Sequence, residues 1–92
     1  MSRYFVDIKE KAQLDLAKLK KDEPKHYAKA LKLIGELYVH PRTGTGKPKQ
    51  LSGDRAGEWR RKISDKHRLV YEIHEQVVEV IVISAWGHYD DK

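Results

Sequence analysis

The spacing of the apolar residues changes once along this chain, and that change limits the folds that the chain can adopt. Before Pro41, apolar residues such as Ala12, Leu16 and Leu19 recur every three or four positions, the period of a helix with one buried face. After Gly57, apolar and polar residues alternate, which is the period of a strand. The sequence therefore predicts helices followed by strands, in an α+β protein.

Two helices are predicted in the first half. The first runs from about Ile8 to Lys21, with Asp7 as its N-cap and Glu10 as the reaching partner of a capping box. The second runs from Pro24 to about Tyr38, with Asp22 as its N-cap, because a proline fits the first turn of a helix. So short a connection favours an antiparallel helix hairpin.

Four strands are predicted, one before the helices and three after them: Arg3 to Ile8, Glu58 to Ser64, His67 to His74 and Val77 to Trp86. The last is almost continuously apolar, which favours a central strand covered on both faces. We therefore expect a helix hairpin packed on one face of a mostly antiparallel four-stranded sheet. At this length, residues 1–92 should form a single domain.

Positive charge is concentrated in one stretch, from Gly44 to Arg68. It contains eight lysines and arginines against three carboxylates, whereas Leu69 to Lys92 contains one lysine against five carboxylates. Such a cluster favours a partner that carries phosphates. A lysine-rich solvated surface with no such partner is the alternative.

Strand alternation predicts where these charges point. In Glu58 to Ser64, Arg60 and Lys62 lie on one face and Arg61 lies on the other, with the apolar residues. In His67 to His74, Arg68 lies opposite the apolar face. If the two apolar faces share one side of a hairpin, then Arg60, Lys62 and Arg68 form a cationic face on the other side.

Several other sites are not supported. The chain has no cysteine, which excludes disulfides, thiolate metal sites and cysteine nucleophiles. No apolar run resembles a signal peptide or a membrane span, so we expect a cytoplasmic protein that does not bind membranes. The GTGK phrase lacks the first glycine and the final Ser or Thr of a P-loop, since Pro41 and Pro48 hold those positions.

Metal ligation is not expected either. The histidines His26, His40, His67 and His74 show no metal-ligand spacing, so surface or capping roles are expected for them. His88 and Tyr89 follow Gly87 directly after the last strand. By composition alone they indicate a frayed chain end, although a functional role stays open.

Taken together, several short motifs resemble the YoeB/Txe branch of the RelE superfamily of bacterial toxins. They are Gly44-x-Gly46-Lys47-Pro48-x-x-Leu51, Gly57-x-Trp59-x-Arg61, Ile63, the run His67 to Tyr71, and His88-Tyr89. The resemblance is strong in the C-terminal half and limited to pattern and length in the helix hairpin. It implies a RelE-like fold and a toxin that cuts mRNA in the ribosomal A site. It also implies a YefM/Axe-like antitoxin as partner and allows a homodimer.

The resemblance also carries an active site over to this chain. The family's usual set is a Glu in a GKPE phrase, the Arg of HRLVY and a closing His-Tyr. The Arg, His and Tyr of this set correspond to Arg68, His88 and Tyr89. Lys62 falls where an Arg is common. The usual Glu is replaced by Lys49, and RelE-like members that carry lysines on this loop suggest that Lys47 and Lys49 serve instead.

Cleavage of RNA by such a set needs neither a metal nor a cofactor. The 2′-OH is the nucleophile, so the protein must supply a base, cations for the phosphate and an acid for the departing oxygen. Arg68 suits the phosphate, His88 the acid and Tyr89 a stacked base. Lys49 is a base only if the surrounding cations disfavour its ammonium form, and otherwise it holds phosphate. Lys47, Arg60 and Lys62 are expected to bind RNA.

Two other interpretations stay open. The first is a toxin-like module that has lost catalysis and still binds RNA or ribosomes, which the lysine at position 49 favours. The second is an unrelated RNA-binding α+β domain, in which Trp59, Tyr71 and Trp86 pack in the core or stack on bases.

Overall fold

A computed structural model describes residues 3–87 of the chain. Two α-helices and five strands occur in this part: β1 (Phe5–Ile8), α1 (Glu10–Asp22), α2 (Pro24–Leu37), β2 (Lys49–Gln50), β3 (Glu58–Lys62), β4 (Arg68–His74) and β5 (Glu79–Ser84). The helices lie in the first half and four of the five strands follow them, so the predicted α+β class is confirmed.

The sheet has the order β1-β5-β4-β3-β2. β1 runs parallel to β5, and the other neighbours are antiparallel. The expected count of four strands was wrong, because Lys49 and Gln50 form a fifth strand against β3. A strand of two residues within a Gly/Pro-rich loop carries no period of its own, so only its partner reveals it.

The position predicted for β5 is largely confirmed. It lies between β1 and β4, and its Val80 and Val82 are fully buried against the helices. Ile81 and Ile83 on the other face are only half-buried, so the expectation of complete cover on both faces was wrong.

Both predicted helix N-caps were wrong. Asp7 stays in β1, where it is paired with Ile81, and its carboxylate contacts Lys9 at 2.9 Å. Lys9 N–H still bonds to β5, so α1 cannot begin before Glu10. Strand pairing therefore takes Asp7, the predicted N-cap of the capping box, whereas Glu10 becomes the first residue of α1.

The link between the helices is a single residue, Glu23. α1 extends through Asp22, because the Glu23 N–H still donates to the Leu19 carbonyl at 2.7 Å. Glu23 then occupies the N-cap position of α2, with Pro24 in the first turn, but its carboxylate does not cap the helix. That carboxylate is directed at two histidines, and the helix hairpin closes as predicted.

One hydrophobic core joins the helix hairpin to a single face of the sheet. Its fully buried side chains come from both helices and from β4 and β5: Ala12, Leu19, Ala30, Leu33, Leu37, Leu69, Tyr71, Val80 and Val82. Trp59 and Trp86 are partly buried against this core. The opposite face of β3 and β4 is therefore free to carry polar side chains. Within residues 3–87, no helix has the length and apolar character needed to cross a bilayer.

Candidate active site

The cations of the second half meet on the face of the sheet that the helices leave open. Lys62 is paired with Arg68 across β3 and β4, and Lys49 is paired with Arg60 across β2 and β3. Directly paired residues project from the same face, so these four side chains share one surface, hereafter the cationic face. The predicted common face for Arg60, Lys62 and Arg68 is confirmed, and Lys49 joins them through the unpredicted strand.

Two of these cations are tied to the turn between β3 and β4. Lys62 Nζ lies 2.7 Å from Asp65 Oδ1, and this bond holds the pKa of Asp65 below its ordinary value. Arg68 Nη1 donates to the backbone carbonyls of Ser64 and His67. A guanidinium has five N–H donors, so Arg68 can be anchored by the turn and still present donors to a phosphate.

The loop before β2 is held by Arg61, a residue to which the sequence patterns assigned no role. Its side chain is fully buried on the core side of β3. Nη1 donates to Glu36 Oε1 at 2.7 Å and to the Thr45 carbonyl at 3.3 Å, and Nη2 donates to the carbonyls of His40 and Thr43 at 2.7 and 2.8 Å. An arginine at an inward-facing strand position was the available signal, because a buried charge needs partners.

Two neighbours complete this arrangement. Arg61 Nε donates to the Tyr71 hydroxyl at 3.1 Å, and that hydroxyl donates to the Pro41 carbonyl at 2.7 Å. Burial raises the pKa of Tyr71, against the lowering effect of Arg61. Desolvation acts to raise the pKa of Glu36, but hydrogen bonds from Thr45 and Arg61 outweigh it and leave the pKa below its ordinary value. The loop from His40 to Thr45 is thus built around one ionised pair.

The same loop brings Lys47 to the cationic face. The Lys62 N–H donates to the Gly46 carbonyl at 2.7 Å, which joins the loop to the end of β3. Lys47 itself has a left-handed backbone with φ of 52° and an exposed side chain. Strained backbone of this kind is frequent at functional sites. Lys47 therefore lies one residue from a fixed contact with Lys62.

A cleft of about 350 Å³ continues the cationic face towards the end of β5. Its lining includes Arg55, Val70, Ser84, Trp86 and Gly87. The Gly87 carbonyl accepts the backbone N–H of Arg68 at 2.8 Å, so Gly87 lies beside that arginine. The predicted site residues His88 and Tyr89 lie outside the described residues.

The expectation that the four histidines hold surface or capping positions was wrong for His67, whose side chain is fully buried. His67 Nε2 lies 2.8 Å from Glu23 Oε2, and His26 Nδ1 lies 2.7 Å from Glu23 Oε1. The hydrogen bond with His67 is the main cause that lowers the pKa of Glu23. Burial of His67 depends on a partner 44 residues away, which no local spacing reveals.

Glu23, His26 and His67 also offer three ligand atoms within 4.8 Å of one another, a grouping that the histidine spacing did not predict. A metal at His67 Nε2 would require that atom to be unprotonated. However, the Gly87 N–H donates to His67 Nδ1 at 2.9 Å, which places the ring proton of the neutral form on Nε2. Metal-bound histidines usually donate through their second nitrogen. The observed bonds therefore fit a hydrogen-bonded chain better than a metal centre.

A match to a known protein family identifies the family of this chain. A family model described as the YoeB-like toxin of bacterial type II toxin-antitoxin systems matches residues 8–89. The chain belongs to the YoeB-like toxin family. The match spans both helices and all of β2 to β5, so the resemblance drawn from short motifs is confirmed.

Individual YoeB-like proteins agree with this match. The chain is 45% identical over 58 residues to Toxin YoeB of Mycobacterium bovis and, over the same length, to Toxin RelK of Mycobacterium tuberculosis. These matches cover 63% of this chain and span 66% of the length of each relative.

Solved structures of YoeB-like toxins share the fold. The YoeB/ParE toxin from Agrobacterium tumefaciens superposes with a TM-score of 0.85 at 29% identity, covering 92% of this chain and 99% of that one. The YoeB-YefM complex from Staphylococcus aureus gives 0.78 at 25% identity, covering 96% and 100%. A YoeB dimer from Staphylococcus aureus gives 0.81 at the same identity and coverage.

Proposed function

We propose that this chain is a ribosome-dependent mRNA endoribonuclease, the toxin of a type II toxin-antitoxin pair. The observation that carries the proposal is the cationic face, on which Lys49, Arg60, Lys62 and Arg68 are paired across three strands beside the loop of Lys47. RNA brings its own nucleophile, so a surface that holds a phosphate and moves two protons is sufficient for cleavage.

The reaction proposed is attack of the 2′-oxygen on the neighbouring phosphorus. A base takes the 2′-OH proton, the bond from phosphorus to the 5′-oxygen breaks, and an acid protonates that oxygen. The products are a 2′,3′-cyclic phosphate and a 5′-hydroxyl. Arg68 stabilises the charge that grows on the phosphate, His88 is the acid, and Tyr89 stacks on a base.

Lys49 replaces the family's usual Glu and is the proposed base. As a neutral amine it would be the base, so single-turnover cleavage on ribosomes should rise with pH until the lysine has lost its proton. Lys49→Ala should then lose roughly 10² to 10⁴ in rate, the usual contribution of a positioned base. Lys49→Glu, which restores the family's usual residue, should keep substantial activity and move the rising limb to lower pH.

Controls separate catalysis from general loss of charge. Arg68→Ala and His88→Ala should each lose at least as much as Lys49→Ala. Lys32→Ala removes an exposed lysine on α2, which packs against the other face of the sheet, and should leave the rate unchanged. An Ala variant at position 49 with full rate and an unchanged pH profile would remove Lys49 from the mechanism.

The second candidate function is a binding module that holds RNA or ribosomes without cutting. The exposed lysine at position 49, where the family usually has a carboxylate base, favours it. Wild-type protein that binds ribosomes but yields no cyclic-phosphate ends under single-turnover conditions would support this function and exclude the nuclease.

The proposal extends to partners. We expect a YefM/Axe-like antitoxin whose acidic, partly disordered segment lies over the cationic face and blocks RNA. Solved complexes of a YoeB toxin with YefM and of a YoeB dimer support an antitoxin complex and a homodimer as assemblies of this chain. Hydrogen exchange that showed antitoxin protection only on α1 and α2 would contradict this location.

A further inference from the structure

The end of β5 is held to the helix hairpin by a chain of three groups that the proposed mechanism does not use. Glu23 lies between α1 and α2, His67 lies in the turn before β4, and Gly87 follows β5. The distances are 2.8 Å from Glu23 Oε2 to His67 Nε2 and 2.9 Å from His67 Nδ1 to the Gly87 nitrogen. Three separate elements are thus connected through one imidazole.

Donor and acceptor chemistry determines which nitrogen of His67 carries the ring proton. A backbone N–H can only donate, so His67 Nδ1 must carry a free lone pair. The ring proton then lies on Nε2 and points at a carboxylate, which accepts when ionised. Protonation of Nδ1, in either the other tautomer or the imidazolium, would set two N–H groups against each other at Gly87.

Contacts with neighbouring groups hold the His67 imidazole, Trp86 and Gly87 in place. The His67 ring lies 4.2 Å from the Trp86 ring, centroid to centroid, and Lys18 Nζ lies 4.1 Å from the centroid of Trp86. Gly87 has φ of +76°, a left-handed conformation that glycine adopts without strain. Its carbonyl accepts the Arg68 N–H at 2.8 Å. Both polar groups of the Gly87 peptide backbone are therefore bonded.

We propose that Glu23 and His67 are positioning residues for the reaction proposed above: they lock one tautomer of the imidazole and so fix the backbone at Gly87, immediately before His88. Neither residue touches the RNA. Their effect passes through the Gly87 N–H, which fixes the Gly87 backbone next to Arg68. The proposal deepens the proposed function and depends on it only for its kinetic consequence.

Two substitutions at His67 each keep one of the ring's two hydrogen bonds and remove the other. In His67→Asn, the side-chain oxygen can replace Nδ1 as acceptor for Gly87 while the bond to Glu23 is lost. In His67→Gln, the longer amide can reach Glu23 while the acceptor for Gly87 is lost. Glu23→Gln is a third variant at a partly exposed position, where replacement leaves no cavity. It should let the ring take up the other tautomer.

The isolated protein gives the first readout. In the wild type, the ¹⁵N shifts of the His67 ring should show a bare Nδ1 and a protonated Nε2, and the Gly87 amide should exchange slowly. His67→Gln and Glu23→Gln should speed Gly87 exchange at least about tenfold, since the hydrogen bond that protects it is lost or weakened. His67→Asn should stay within a few fold. The control is His26→Asn, which removes the other histidine on Glu23 and should change neither readout.

Ribosome assays give the second readout. His67→Gln should slow single-turnover cleavage at saturating ribosomes about 10- to 100-fold, the scale of a small misplacement of reacting groups. Ribosome affinity should be unchanged, and His67→Asn should cleave nearly as fast as wild type. A wild type that cuts no mRNA would contradict the proposed function, whereas the exchange and ¹⁵N results would still decide the positioning chain.

Three results would overturn the positioning role. The first is a wild-type ring protonated on Nδ1. The second is equal Gly87 exchange in the Asn and Gln variants. The third is a Zn²⁺ titration that shifts the ring nitrogens of His26 and His67 together at stoichiometric metal, which would replace the hydrogen-bonded chain with a metal site.

Discussion

Gly46 brings the loop that carries Lys47 into close contact with β3. Its φ is +85°, and a Cβ added there would lie 3.0 Å from the Lys62 carbonyl oxygen and 3.1 Å from the Arg61 Cβ. Both neighbours belong to β3, whose backbone is held by pairing on either side. The loop therefore requires glycine here for its conformation and for its close approach.

We expect Gly46→Ala to destabilise the protein by about 2–3 kcal/mol, measured by urea unfolding. The left-handed conformation alone costs roughly 1–2 kcal/mol for a residue with a Cβ. Gly53→Ala is the matched control, since Gly53 has φ of +66° but no atom within 4 Å of an added Cβ. Equal losses in the two variants would mean that the contact with β3 contributes nothing.

At the scale of elements, the pair of Glu36 and Arg61 connects α2 and β3 with the loop between them. Arg61 is fully buried, and the side chain of Glu36 is 18% exposed. The Glu36 carboxylate accepts from the Arg61 guanidinium at 2.7 Å and from the Thr45 backbone N–H at 2.8 Å. Loss of its charge would leave a buried cation less well compensated.

Glu36→Gln should lower the free energy of unfolding by about 1.5–3 kcal/mol at neutral pH, the usual range for hydrogen bonds to charged groups. The pKa of Glu36 is depressed in the folded state below its ordinary value of 4.5. Its contribution is therefore complete above that value and is lost as pH falls through the folded pKa. Urea unfolding of wild type and variant should show a gap that narrows below about pH 4.5.

The other carboxylates with lowered pKa values, among them Glu23 and Glu75, are present in both proteins and cancel in this difference. A gap that stayed constant down to the acid transition would show that the charge of Glu36 does not hold the loop.

Structural features that depend on neighbouring residues were predictable from the sequence, and features that depend on partners far away in the chain were not. Alternation within each strand, together with the condition that the two apolar faces share one side of a hairpin, placed Arg60, Lys62 and Arg68 on one face. It also turned Arg61 inward, but its acceptors in Glu36 and in the loop lie 16 to 25 residues earlier in the chain, so its role in the loop was missed. β2 exists only through pairing with β3, and the N-cap expected at Asp7 lost to pairing with β5.

At the scale of the whole molecule, the sign of the charge changes along the sheet. The cationic face and the loop before β2 lie towards the start of β4, whereas Glu72, Glu75 and Glu79 lie towards the turn that joins β4 to β5. An RNA backbone should therefore approach from the side of β2 and β3. The helices carry further lysines. If RNA were attracted by net charge alone, these lysines would contribute as much to binding as those of the cationic face.

Binding to ribosomes or single-stranded RNA should weaken steeply with salt if phosphates provide the main contacts, because each neutralised phosphate releases counterions. The slope of log affinity against log salt should fall in magnitude by about 0.7–0.9 for each contact removed. Lys47→Gln should show this loss, because Lys47 is exposed beside the cationic face, whereas Lys32→Gln on α2 should keep the wild-type slope. The measurement is a series of Kd values between about 50 and 200 mM KCl, the range over which rising salt lowers affinity by orders of magnitude when several phosphate contacts are made.

If both variants reduced the slope equally, the attraction would come from net charge, and RNA would have no preferred side. If salt had no effect on wild-type binding, phosphate contacts would not be the source of affinity, and the cationic face would need another partner.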